Sequence, residues 1–118
     1  MNAGRWDVVE VDFGGPAVGH EQAKRRPAVV ISNDHFNRAA GLLTVLPITS
    51  RQTAKYPAEV EFDDMPGIVS RGVIMVHQIR TVSQTRVERV RGPLKDPVLQ
   101  RRIVEAIAVF LDLPGNHA

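Results

Sequence analysis

The chain has 118 residues, no cysteine, four histidines, and fifteen Lys and Arg against thirteen Asp and Glu, a formal net charge of +2. That length suits one domain, 1–118, with a core of its own. Without cysteine there is no disulfide framework, thiolate nucleophile or Cys-type zinc site, and the scattered histidines offer no metal or cofactor centre. No apolar run approaches the roughly twenty residues that cross a bilayer, and Arg5, Asp7, Glu10 and Asp12 replace any apolar leader. A soluble, cytoplasmic protein without a membrane partner is expected.

WDVVEVDF, 6–13, alternates with period two, Val9, Val11 and Phe13 on one side and Val8, Glu10 and Asp12 on the other, as a strand does. Gly14, Gly15, Pro16 and Gly19 break it and open a charged loop, GHEQAKRR. PAVVIS, 27–32, is apolar enough for a strand buried on both faces. Asn33 and Asp34 can cap one or two helical turns through SNDHFNRAA. LLTVLPIT, 42–49, reads as a strand that bends or leaves a ladder at Pro47. AEVEFDD, 58–64, sets Val60 and Phe62 against a wet face of Glu59, Glu61 and Asp63.

GVIMVHQIRTV, 72–82, is one bent strand or two short ones, and VERVRG, 87–92, is a further basic strand. Asp96 then caps and Pro97 opens a helix of about four turns ending near Pro114 and Gly115. Its apolar stripe is Val98, Leu99, Ile103, Ala106, Ile107, Phe110 and Leu111, with Arg101, Arg102 and Glu105 opposite. Short strands followed by one helix predict a mainly β protein, a small, strongly bent antiparallel sheet or barrel with a C-terminal amphipathic helix laid across it.

Charge is unevenly spread. Lys24, Arg25, Arg26, Arg38, Arg51 and Lys55 border the first connecting regions, Arg80, Arg86, Arg89 and Arg91 form a second basic set, and Glu59, Glu61, Asp63 and Asp64 are grouped. Two faces of opposite sign are expected.

GHEQAKRRPAVVISNDHFN, VLPITS and HQIRT, in that order and spacing, resemble the MazF/PemK (Kid) family of toxin–antitoxin endoribonucleases, over about Arg5 to Leu113. The resemblance implies a homodimeric toxin with a small SH3-like barrel of the CcdB/PemK type. It implies cleavage of single-stranded RNA without metal or cofactor, and neutralisation by a cognate antitoxin with an acidic, partly disordered tail.

Metal-free cleavage needs a group to take the ribose 2′-hydroxyl proton, one to balance charge on phosphorus, and one to serve the leaving 5′-oxygen. Arginine suits the second task, since its planar fork stays charged and grips two oxygens. By the resemblance, the arginine of the RP dipeptide and the threonine of the PITS-like motif are the functional pair, here Arg26 and Thr49. His20 matches a histidine thought to assist at the scissile phosphate in PemK-like members; otherwise it is an exposed loop histidine. Glu21 and Gln22 either shape the loop or contact bases. With few aromatics available for stacking, base recognition would rest on hydrogen bonds from the loops at 14–26 and 50–57, which hold Lys24, Arg25, Ser50 and Arg51.

Two departures stand out. Many relatives carry aspartate where this chain has His77, and PemK-like members pair it with an arginine where this chain has Met75. His77 is then either a replacement general base or a packing or RNA-contacting residue. Gln78 and Arg80 fit the motif, Arg80 as an RNA contact or a structural partner. Where the family reads RGDVW this chain has RWDVV, for which only a packing change is expected. The competing class is a non-enzymatic toxin of the same fold, a CcdB-like gyrase poison, or a family member that has lost activity. LDLPGNHA offers no aromatic anchor beyond Phe110 for the gyrase role.

Overall fold

Seven antiparallel strands and two α-helices make up the computed structural model, which describes residues 3–14 and 25–114. In chain order they are β1 Asp7–Asp12, β2 Arg25–Val30, α1 Asp34–Ala40, β3 Leu42–Thr49, β4 Glu59–Met65, β5 Val69–Met75, β6 Arg80–Ser83, β7 Val87–Pro93 and α2 Pro97–Phe110. The sheet runs β4-β5-β3-β2-β1-β7, with β6 also on β3. β4 and β7, at its two ends, do not pair with each other, so the barrel is an open half-barrel.

β3 is the spine. Its residues Leu42–Val45 pair with β6, and Ile48–Thr49 pair with β5. Pro47, which has no N–H to give, sits where β3 leaves one partner and takes up the other. The 72–82 segment is thus two strands, β5 and β6, broken by a 3-10 turn at Val76–Gln78. β5 also begins earlier than the apolar run suggests, at Val69.

Alternation in the central strands sends side chains into two cores. Val8, Val29, Leu46 and Ile48 join Val60, Phe62 and Ile74 beneath α2, which adds Leu99, Ile103 and Ala106. Val9, Val11, Ala28, Val30, Leu43 and Val45 form the other core with Val82 and Val87. Both faces of β2 are buried over Ala28–Val30, as the apolar run there requires.

Local chemistry fixes the helices. Asn33 caps α1 through the Phe36 N–H and Gly41 ends it in the left-handed conformation at φ 67°. Asp96 accepts from the Val98 N–H at 2.9 Å, with Pro97 in the first turn of α2. Three expectations are corrected here. α2 stops at Phe110, short of Pro114, and Asp112 takes φ 54° beyond it. Of its apolar stripe, Val98, Phe110 and Leu111 are exposed, while Ala108 is buried. Trp6 stands at φ 73°, in the left-handed region that favours glycine, so a bulky residue there bears backbone strain in addition to any packing change.

Candidate active site

β2 and β3 run antiparallel, and their ends bring two predicted residues to one cavity. Arg26 pairs with Val11 on β1, inside β2 rather than in the loop before it, and Thr49 closes β3 opposite Val73. Both are half-buried. They line a cavity of about 360 Å³ whose other polar walls are Arg25, Ser50, Ser70 and Arg71. Pro27, Ile48 and Val69 supply the apolar part, and no carboxylate lines it among the described residues. Three guanidinium groups and three hydroxyls, without a competing anion, make this a place for an anionic ligand.

The cations are not equivalent. Arg25 Nε donates to Glu88 at 2.8 Å on the exposed surface. Among the described residues neither Arg26 nor Arg71 has an ion-pair partner, so both guanidinium forks are available.

Close approach of β3 and β5 shapes the cavity wall. A Cβ at Gly72 would overlap the Thr49 carbonyl oxygen and touch the Phe62 ring at 3.3 Å. Glycine is required there by space, since its φ is not in the left-handed region.

Arg51 and His77 belong to a different cluster. Glu59, expected on the wet face of β4, is buried at 6% exposure. Its carboxylate accepts from Arg51 Nη1 at 3.2 Å, Arg51 Nη2 at 2.5 Å and the Lys55 N–H at 2.6 Å. Burial favours the neutral acid, but the Arg51 hydrogen bond, the Lys55 N–H and the charges of Arg51 and His77 together hold the Glu59 carboxyl below its usual range. The hydrogen bond to Glu59 raises Arg51 in turn, against the opposing effect of burial. Arg51 Nη1 also donates to the Thr53 carbonyl and the Ala54 N–H donates to Glu61, so this cluster pins the segment between β3 and β4.

His77 lies in the 3-10 turn with Nδ1 3.9 Å from Glu59 and buried, without a hydrogen-bond partner among the described residues. Its ring makes a T-shaped contact with that of Tyr56, centroids 5.3 Å apart. It does not line the Arg26–Thr49 cavity. Gln78 is exposed beside it, and Arg80 lies over the Phe13 ring at 4.9 Å. His20, Glu21, Gln22 and Lys24 fall outside the described residues.

Sequence reasoning missed Ser70, Arg71 and Gly72 as site components. Ser70 and Arg71 precede the apolar run and read as turn; the only signal was a glycine opening a strand that otherwise has no gap.

A half-barrel with a helix under one face and a cationic, hydroxyl-lined cavity at two strand ends defines a small mainly β protein. The sequence profile of the PemK-like, MazF-like toxins of type II toxin–antitoxin systems matches residues 4–111, and the chain belongs to that family. It is 37% identical over 111 residues to endoribonuclease EndoA of Bacillus subtilis, covering 92% of this chain and 94% of that one. Similarity to endoribonuclease MazF9 of Mycobacterium tuberculosis is 34% over 115 residues, covering 92% and 96%. Crystal structures of Deinococcus radiodurans MazF and of its MazE-MazF complex are 28% identical with TM-scores of 0.74 and 0.75. They cover 96% of this chain and 99% and 98% of theirs.

Proposed function

We propose that the chain is the toxin of a type II toxin–antitoxin pair and an endoribonuclease that cuts single-stranded messenger RNA at a short sequence without a metal cofactor. The observation that carries the reading is the shared cavity of Arg26 and Thr49. In the reaction, the ribose 2′-oxygen attacks the adjacent phosphorus and passes its proton to solvent water. The bond from phosphorus to the 5′-oxygen breaks, and that oxygen takes up a proton, leaving a 2′,3′-cyclic phosphate and a 5′-hydroxyl. Arg26 holds two phosphate oxygens and balances the charge that builds on them, and the Thr49 hydroxyl orients the group. His20 assists at the same phosphate. Glu21, Gln22, Lys24, Arg25, Ser50, Gln78 and Arg80 serve the flanking RNA.

For His77 the geometry favours packing over proton transfer, because Nδ1 faces buried Glu59 and the ring is outside the cavity. Arg51, bound to the same carboxylate, shapes the specificity segment and does not itself meet RNA. A homodimer is part of this reading, and so is an acidic antitoxin tail ordered on the basic surface; that a Deinococcus relative is solved as a MazE-MazF complex supports a partner antitoxin.

The test is cleavage of single-stranded RNA in EDTA by purified protein, with mapping of 5′ ends. Arg26→Ala is expected to lower kcat by about 10²–10³-fold with an unchanged circular dichroism spectrum. Undiminished cutting by the folded variant would remove Arg26 from the site, and no cutting by the wild-type protein would remove the activity.

A further inference from the structure

We infer that Arg71 and Ser70, at the start of β5, form a second phosphate subsite, gripping an RNA phosphate next to the one held by Arg26. The inference rests on the nuclease reading for its ligand, but its evidence is separate. Arg71 is exposed, lines the same cavity as Arg26, and has no ion-pair partner among the described residues. Arg25, by contrast, shares its charge with Glu88 at 2.8 Å. A single phosphate does not need two unpaired guanidinium forks and the hydroxyls of Thr49, Ser50 and Ser70. A polymer with a charge at every nucleotide does.

The two arginines sit on different strands, Arg26 on β2 and Arg71 on β5, separated by β3, to which both strands pair. The chain of the ligand therefore crosses the end of β3 over Thr49, with one phosphate on either side of that strand. Gly72, packed on the Thr49 carbonyl, fixes the spacing of β5 from β3 and with it the distance between the two charges. Arg71 is a binding group in this assignment, and the reacting phosphorus belongs to Arg26.

Salt dependence distinguishes a phosphate contact from a structural one, because each neutralised phosphate of a single strand adds about 0.7 to the slope of log affinity against log salt. The measurement is fluorescence anisotropy of a labelled mixed-sequence 12-mer RNA between 50 and 300 mM KCl, with cleavage of messenger RNA in EDTA run in parallel. Arg71→Ala is expected to weaken binding about tenfold at the lowest salt and to reduce the slope by about 0.7. The cleavage defect should lie in KM more than in kcat. Arg71→Lys, which keeps the charge and loses the fork, should keep the slope.

An Arg71→Ala protein with wild-type affinity and slope overturns the subsite while leaving the Arg26 assignment intact. Wild-type protein that binds RNA but never cuts it defeats the nuclease reading, and the slope comparison still decides the subsite. If Arg71→Ala bound RNA normally but lost binding to a polyglutamate peptide, the cation would belong to an acidic protein tail and the proposal would fail.

Discussion

Gly72 lies so close to the carbonyl oxygen of Thr49 that no side chain fits between them. The strand pairing Thr49↔Val73 depends on that approach, and the Phe62 ring closes the other side of the space at 3.3 and 3.4 Å. Gly72→Ala must therefore separate β5 from β3 or displace the ring. The expected cost is about 2 kcal/mol of stability, a typical figure for overpacking. Because Thr49 moves with β3, cleavage should fall further than the residual folded fraction explains. Normal activity and an unchanged urea midpoint would show that the strands can yield there at no cost.

Much of the fold was legible in the sequence for simple reasons. β3 was readable because its apolar residues are continuous, and α1 and α2 because Asn33 and Asp96 are side chains that cap. Burial of Glu59 was illegible: a carboxylate alternating with Val60 and Phe62 reads as solvent-facing, and the groups that offset its desolvation, Arg51 eight residues away and the Lys55 N–H, lie outside its strand. Arg26 and Thr49 were readable only through resemblance, since an arginine beside a turn and a threonine ending a strand carry little pattern of their own. Arg71 escaped because nothing local in SRG marks a residue that tertiary folding brings to Arg26.

His77 provides a direct comparison of two roles. A general base contributes about 10²–10⁴-fold to rate. Packed between Glu59 and the Tyr56 ring, His77 should behave as a structural residue. His77→Ala is expected to lower kcat by less than about tenfold, well under that range, and to lower the melting temperature. A hundredfold loss of kcat with an unaltered melting curve would restore the base role.

Exposure divides the apolar residues of α2 by consequence. Ile103 has no exposed surface and sits in the core shared with Leu46 and Ile74, whereas Val109 is 50% exposed. Ile103→Ala should cost about 3 kcal/mol through lost burial and the cavity left behind. Val109→Ala should stay within about 0.5 kcal/mol in a dilute monomer. Denaturant titration of both variants checks the contrast, and equal effects would mean that the outer face of α2 is also covered in solution.

Glu59 makes stability depend on acid in a predictable direction. Its folded carboxyl titrates below the ordinary 4.5, so the ionised form is favoured by folding. That contribution is fully present above about pH 4.5 and is lost as pH falls through the lower folded value. Glu59→Gln removes the titration and turns an amide toward Arg51 or the Lys55 N–H, leaving a buried donor unsatisfied. At pH 7 the variant should be less stable by about 1–3 kcal/mol. The gap between the two proteins should shrink steadily from about pH 4.5 toward pH 3. Other carboxylates titrate in both proteins and cancel in the difference, so urea midpoints over pH 3–7 isolate this one. A gap that held constant or widened in acid would mean that Glu59 is already protonated at neutral pH and that Arg51 does not hold it charged.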